Sequence, residues 1–339
     1  MLQPLRFAII GTGFWANYQI AAWKELQGVE LVALCDINRS SVDVIAKKFG
    51  VSNVYSGAEE LLEKETLDFV DIITDVDTHA ALTNAAAQKG IDIICQKPMA
   101  ASLADAEKML KICMKQNVQL FIHENFRWQA PLRSLKDAMD TGIIGKMFKA
   151  KVSFCSAFPV FDNQPFLAGL KHFILADIGS HVLDICRFLF GEVKQLTCLI
   201  QRVNKRIEGE DVANVLMEME NGLHCFAEMS YASILEKEAF PQTLVSIEGE
   251  NGSLHLTNDF HLKITTRRRT TSSVIKPAMY NWVDPDYAVV HSSIVDCNRD
   301  ILKGLQGGIS ETTGEDNLRT VRLVWACYES AASKKTIIF

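Results

Sequence analysis

Between residues 5 and 122 the chain alternates short apolar runs with longer stretches of mixed polarity. The runs at 5–10, 30–35, 69–73, 91–95 and 118–122 are almost wholly apolar and show little alternation. That pattern predicts strands of a parallel sheet with both faces covered by helices. The intervening stretches at 15–26, 40–48, 58–64, 78–88 and 102–115 predict those helices. Ser102 followed by Asp105, just past Pro98, resembles an N-terminal cap with an acidic first turn. A further helix at 129–140 ends at Thr141-Gly142, where Gly142 suits the C-terminal cap.

From Lys146 the texture changes. Stretches 147–155, 194–203, 211–219, 223–230, 243–249, 252–257 and 261–266 read as strands, several joined by short Gly/Asn turns. Asn221-Gly222 and Asn251-Gly252 are the strongest hairpin signals. Helical patterns follow at 177–190, 286–303 and 315–332. The expectation is an α/β protein: a doubly wound dinucleotide-type domain over 1–125, then an α+β domain over 126–339 with an open, mainly antiparallel sheet. No internal repeat, heptad or low-complexity tract interrupts this plan.

The first apolar run breaks into Gly11-Thr12-Gly13-Phe14-Trp15-Ala16 and then into a helix. In a Gly-x-Gly-x-x-Ala loop the first glycine allows the tight turn and the second lets backbone approach a pyrophosphate. The alanine keeps helix and strand close. The helix N-terminus offers free N–H groups to the phosphates. The second strand ends in Asp36, at the distance where a carboxylate takes the ribose hydroxyls. Strand, loop, helix and acid together predict a Rossmann site for NAD. NADP is disfavoured, because its 2′-phosphate would meet Asp36, although Arg39 lies close enough to blunt that preference.

Composition narrows the class. With 339 residues, 48% of them hydrophobic and 22% charged, the chain can bury more than one core. A formal charge of −6 argues against general affinity for nucleic acid or an anionic membrane. No long apolar span predicts a transmembrane helix, and Met1-Leu2-Gln3-Pro4 carries no signal-peptide pattern. The nine cysteines include no CxxC pair, which fits reduced thiols in a cytoplasmic protein.

Several residues offer chemistry. Lys97 follows a predicted strand and precedes Pro98, at the carboxyl end of a sheet where such folds bind ligands. A strand-end lysine reaching solvent is the plainer reading. In Asp177-Ile178-Gly179-Ser180-His181-Val182-Leu183-Asp184, helical spacing puts Asp177, His181 and Asp184 on one face. Acid–base work by His181 is the economical use, with a carboxylate orienting its ring. Asp177 as a helix cap and His181 as a satisfied buried histidine remain open. The spacing matches no strong zinc signature, and no metal is expected. Asn125, Arg127 and Trp128 mix polar groups with an aromatic surface suited to a sugar, or to an ordinary seam. Asp162, Asn163 and Gln164, flanked by phenylalanines, would suit a polyol. Arg267-Arg268-Arg269 reads as a solvated hairpin tip.

Taken together, these pieces resemble the glucose–fructose oxidoreductase / inositol dehydrogenase / rhizopine catabolism (Gfo/Idh/MocA) family over essentially the whole chain. Thr74-Asp75-Val76-Asp77-Thr78-His79 matches its T-P-x-x-x-H segment, with Asp75 in place of proline. Gln96-Lys97-Pro98 matches its E-K-P motif, with glutamine in place of glutamate. Asp177 to Asp184 matches its D-x-x-x-H-x-x-D stretch. The resemblance implies that His181 is the general base and that Lys97 and Asp177 align the reacting hydroxyl. It implies a cofactor site of Gly11, Thr12, Gly13, Phe14, Trp15, Asp36, Arg39, Thr74, His79, Gln96 and Lys97. Lys97, Asn125, Arg127, Trp128, Asp162, Asn163, Gln164, Asp177 and His181 would then meet the sugar. The Glu-to-Gln change removes a charge beside Lys97. Segments Val-Asp-Thr-His, Cys-Gln-Lys-Pro-Met-Ala, Glu-Asn-Phe-Arg-Trp-Gln and Phe-Pro-Val-Phe-Asp-Asn-Gln-Pro-Phe are similar to the family's D-apiose dehydrogenase branch. Members of that branch oxidise D-apiose with NAD to a lactone.

The expected activity is therefore an NAD-dependent dehydrogenase that oxidises a small sugar at C1. An inositol or polyol dehydrogenase, an NAD-dependent glycoside hydrolase and a non-enzymatic nucleotide or sugar sensor are the alternatives. The resemblance also implies a homodimer, or a tetramer of dimers, joined through the second domain's sheet.

Overall fold

The computed structural model describes residues 3–339, apart from the side chain of Asn163. The chain forms two compact units. One takes in the chain up to Asn125 together with Tyr280–Asp284 and His291–Val321. The other comprises Phe126–Met279, Pro285–Val290 and Arg322–Phe339. A division at a single point along the chain does not contain the return of 280–284 and 291–321 to the first unit.

In the first unit, β1 (Leu5–Ile10), α1 (Ala16–Lys24), β2 (Val29–Cys35), α2 (Arg39–Phe49), β3 (Asn53–Tyr55) and α3 (Ala58–Lys64) are followed by a second half. That half is β4 (Phe69–Ile72), α4 (Val76–Gln88), β5 (Asp92–Gln96), α5 (Leu103–Gln116) and β6 (Leu120–His123). The six strands pair in parallel in the order β3-β2-β1-β4-β5-β6, the doubly wound arrangement expected. All four residues of β4 are buried, as are all four of β6, which is why these strands read as nearly continuous apolar runs, broken only by Asp71 in β4 and His123 at the end of β6. Only β3 escaped the sequence pattern, because three residues carry no readable period. Ser102 caps α5 by accepting from the Asp105 N–H, as its sequence predicts.

In the second unit, α6 (Ala130–Asp140), β7 (Met147–Cys155), the short α7 (Val160–Asn163) and α8 (Ile174–Phe190) precede most of the sheet. The strands that follow are β8 (Val193–Gln201), β9 (Val212–Met219), β10 (His224–Ser230), β11 (Leu244–Gly249), β12 (Gly252–Thr257), β13 (His261–Thr266) and β14 (Thr270–Val274). α9 (Ala288–Leu305), α10 (Gly314–Ser333) and β15 (Ile337–Ile338) close the chain. The nine-stranded order is β14-β13-β12-β11-β7-β10-β9-β8-β15, antiparallel except for the parallel pair of β7 and β10. β14 was not legible, since its Thr/Ser-rich residues are all exposed and show no apolar face. Arg267, Arg268 and Arg269 form the exposed tip between β13 and β14, as expected.

Two turn glycines act for different reasons. Gly222 has φ +84° and sits in the β9–β10 hairpin as its Asn-Gly signal predicts. Gly252 instead opens β12. A Cβ there would lie 2.0 Å from the Thr265 carbonyl oxygen, so close strand approach, not turn chirality, requires glycine.

The buried side of the sheet packs on α8, of whose 17 residues all but Ala176, Asp177 and Phe188 are buried. The outward side is mixed. Lys149–Glu248, Lys151–Glu228 and Lys194–Glu218 pair across strands. Leu199 and Leu216, 67% and 57% exposed, lie among them. No helix among the described residues is long and apolar enough to cross a membrane.

Candidate active site

The glycine loop ends β1 and launches α1. Gly11 has φ +101°, and a Cβ on it would lie 2.3 Å from the Ile73 carbonyl oxygen, so no larger residue fits. Gly13 differs: nothing lies within 4 Å of its hypothetical Cβ. That open space over backbone N–H groups and a helix N-terminus without a side-chain cap is the cradle a pyrophosphate needs. Ala16 is fully buried beneath it.

Asp36 is held at the end of β2 by three donors. The Thr12 N–H and hydroxyl reach Oδ2 at 2.6 and 2.8 Å, and the Asn38 N–H reaches Oδ1 at 2.8 Å. A carboxylate accepts at about four sites, so acceptor capacity remains for ribose hydroxyls. Arg39 is turned to Asp43 one helical turn on, with Nε 3.0 Å from its Oδ1. The loop, its open cradle and this carboxylate fit NAD.

His79 has another task. Its ring nitrogens lie 3.1 Å from the Thr74 carbonyl oxygen and 3.1 and 3.3 Å from those of Pro98 and Met99. Burial lowers its pKa. The ring clasps the loop before α4 to the loop after β5, and so braces the segments that carry the expected cofactor residues Thr74 and Lys97. Phe14 is exposed, while Trp15 edges against Tyr18 and His291 in an aromatic cluster. Asn125 donates to the Ser293 hydroxyl at 2.8 Å.

In the second unit α8 carries the expected acid–base pair. Its N-terminus is satisfied from a distant loop: the Phe173 and Leu175 N–H groups donate to the buried Glu210 carboxylate. Tyr328 donates to the same oxygen at 2.7 Å and accepts from the Ala176 N–H. The helix therefore starts at Ile174, and Asp177 lies in its first turn instead of capping it. One turn later the His181 ring, 3% exposed, stacks on Phe126 with centroids 3.6 Å apart and planes within 6°. Tyr231 lies near Asp177; desolvation, and then the Asp177 charge, hold its phenol well above the usual range, so it stays a donor. Rings then run from Phe126 through Phe154 to Tyr231, Phe173 and Phe161, beside Asp162. Sequence reading missed Phe126, Tyr231 and Glu210, since no local motif marks a stacking ring or a carboxylate brought from afar.

Arg127, one of the residues expected to meet the sugar, is held by Asp184. Arg127 Nε and Nη2 meet the two oxygens of Asp184 at 2.7 and 2.5 Å, with both side chains buried. That fork holds the 126–128 segment to α8. Arg133 stacks 3.5 Å over the Trp128 ring. Asp162 is exposed and Gln164 half-buried on the loop after β7, while the expectation for the Asn163 side chain falls outside the described residues. None of the nine cysteines is assigned to a disulfide, and burial pushes the thiol pKa of Cys35 up to about 11 and that of Cys113 to about 12.

Comparison with known proteins follows the same division. Residues 5–124 match a family model described as an oxidoreductase family with an NAD-binding Rossmann fold, and residues 132–255 match the GFO/IDH/MocA C-terminal domain. The chain is 42% identical over 337 residues to a D-apiose dehydrogenase of Paraburkholderia graminis, covering 99% of this chain and 90% of that protein. A D-apiose dehydrogenase of Rhizobium rhizogenes is 40% identical, covering 99% and 98%. An Agrobacterium radiobacter oxidoreductase, solved with NAD+, L-tartaric acid and magnesium, superposes with a TM-score of 0.97 at 39% identity, covering 99% and 98%.

Proposed function

From the premise that the chain belongs to the GFO/IDH/MocA oxidoreductase family and is an NAD-dependent sugar dehydrogenase, we propose that its substrate is D-apiose, oxidised at C1 to the lactone. The near full-length identity to two D-apiose dehydrogenases carries this reading. Bound NAD supplies the hydride acceptor. His181, its ring plane set by Phe126, takes the proton from the anomeric hydroxyl as the C1 hydride departs. Asp177 orients that hydroxyl, and Lys97 contributes a fixed positive charge to its alignment. Asp162 and Gln164 take the remaining sugar hydroxyls. They bring no positive charge, which disfavours a phosphorylated sugar. Free and phosphorylated aldoses assayed in parallel, with product analysis, test this: D-apiose yields NADH and lactone. Activity confined to sugar phosphates, or a ketone away from C1, rejects it.

The protein works in the cytoplasm as a homodimer or a tetramer of dimers, joined through the outward face of the nine-stranded sheet. The support is Leu199 and Leu216 exposed amid polar cross-strand pairs, an amphipathic face suited to an interface. Light scattering across a concentration range gives at least twice the 37.8 kDa chain mass, and a monomer throughout excludes the assembly.

The geometry of Asp36 sets the cofactor preference. NAD binds more tightly than NADP, and Asp36→Ala narrows the gap, because the charge that repels a 2′-phosphate is gone. Paired titrations at one salt concentration check both statements, and tighter NADP binding by the wild type would falsify them.

A further inference from the structure

Asp71 lies in the middle of β4, fully buried and with no salt bridge among the described residues. Burial pushes its carboxyl up to about 7. Its partners are neutral: Gln19 Nε2 is 2.8 Å from both oxygens, and Trp23 Nε1 is 2.9 Å from Oδ2. Gln19, 1% exposed on α1, accepts from Gln96 Nε2 at 2.9 Å through its own carbonyl oxygen. Gln96 in turn accepts the Lys97 N–H at 2.9 Å.

The direction of this chain is forced from both ends. The Lys97 N–H is a donor only, so the Gln96 atom facing it is oxygen, and its amide nitrogen must face Gln19. The facing atom of Gln19 is then oxygen, which leaves its nitrogen for the Asp71 carboxylate. A glutamate at position 96 would set a second acceptor against the Gln19 oxygen. One Gln19 amide cannot donate both ways. Either the carboxylate introduced there or that of Asp71 would lack the Gln19 donor and be left with one, the Lys97 N–H or the Trp23 N–H, in a setting where that loss is costly.

We propose that Asp71 is a positioning residue for Lys97, acting through Gln19 and Gln96, and that this chain carries glutamine at 96 because the network's negative charge sits at 71. The kinetic part rests on the role given to Lys97 above. A transposed network pairs the same groups once the Gln19 oxygen shifts from its place between the two Asp71 oxygens toward the one replaced by nitrogen. With Asp71→Asn and Gln96→Glu together, the carboxylate at position 96 accepts from Lys97 and from a flipped Gln19. The Gln19 oxygen then takes the amide N–H introduced at position 71, and the oxygen of that same amide keeps the Trp23 N–H.

Wild type, Gln96→Glu, Asp71→Asn and the double variant are compared at about pH 9, roughly two units above the value near 7 to which burial pushes Asp71, so that its carboxyl is ionised. Thermal midpoints are measured, and turnover of D-apiose is expressed per NADH-binding site counted by fluorescence titration, so lost fold does not pass for lost alignment. Gln96→Glu lowers the midpoint and cuts turnover per site roughly 10–100-fold, the scale of a displaced aligning group. The double variant regains the midpoint and returns to within about threefold of wild-type turnover. If Gln96→Glu does not fold, recovery of NADH-binding protein by the second substitution supports the proposal, and no recovery overturns it. Additive effects overturn it. Coupled midpoints with uncoupled turnover reduce the network to architecture and also overturn the positioning role. Lys97→Met separates the two readings: wild-type turnover in that variant rejects Lys97 itself, whereas an inactive Lys97→Met beside an additive pair rejects only the chain behind it.

Discussion

His181→Ala keeps its fold and its NAD affinity and loses roughly 10²–10⁴-fold in turnover, the scale of a positioned proton-transfer group. The expectation comes from geometry as much as from kinship. The ring is nearly enclosed and lies flat on Phe126, so its plane is fixed before substrate arrives. Its helix is anchored at the N-terminus by Glu210 and Tyr328. Removing the imidazole takes away the proton acceptor without disturbing that anchor. The ascending limb of the wild-type pH–rate profile disappears in the variant. Phe126→Leu, which keeps bulk but loses the flat stack, lowers turnover less and leaves the limb in place. A packing role for His181 gives the opposite result: a lower melting temperature with near-normal turnover per folded molecule. Melting temperature, NAD affinity and the pH dependence of hydride transfer on one preparation decide between them.

The second large effect is on stability. Arg127→Met or Asp184→Leu alone lowers the unfolding free energy by roughly 3–5 kcal/mol, since each takes the bidentate counter-charge from a buried partner. The two together recover most of the loss, because the desolvation penalty vanishes with the charges. Arg187, paired with Glu192, also has its Nη1 4.0 Å from Asp184 Oδ1, so it offsets part of the loss when Arg127 is removed. Urea unfolding with unchanged slope reads the difference directly. An Arg127 that served the sugar would instead raise KM for D-apiose and leave the urea midpoint in place, and that outcome would restore the sequence-based expectation for this residue.

The parallel sheet of the first unit, the glycine loop, Asp36 and the helix carrying Asp177 and His181 were all legible in the sequence. Each depends on residues adjacent in the chain: a buried strand is a continuous apolar run, a tight loop needs its glycines, and helical spacing sets which side chains share a face. The role of each polar residue was much less legible. Arg127, Asp184, His79 and Asn125 carry the chemistry of a binding site, yet the fold joins each to a buried partner far away in sequence or to backbone carbonyls. Whether a buried polar group is an acceptor for substrate or for scaffold depends on what else enters hydrogen-bonding range, and local sequence does not encode that. The same holds for the return of 280–284 and 291–321 to the first unit, and for the Asp71–Gln19–Gln96 chain that spans α1, β4 and β5. Local sequence thus determined the elements and the chemical groups they carry. The tertiary structure decided which of those groups remain available, because desolvation obliges every buried donor and acceptor to find its partner wherever the fold brings one.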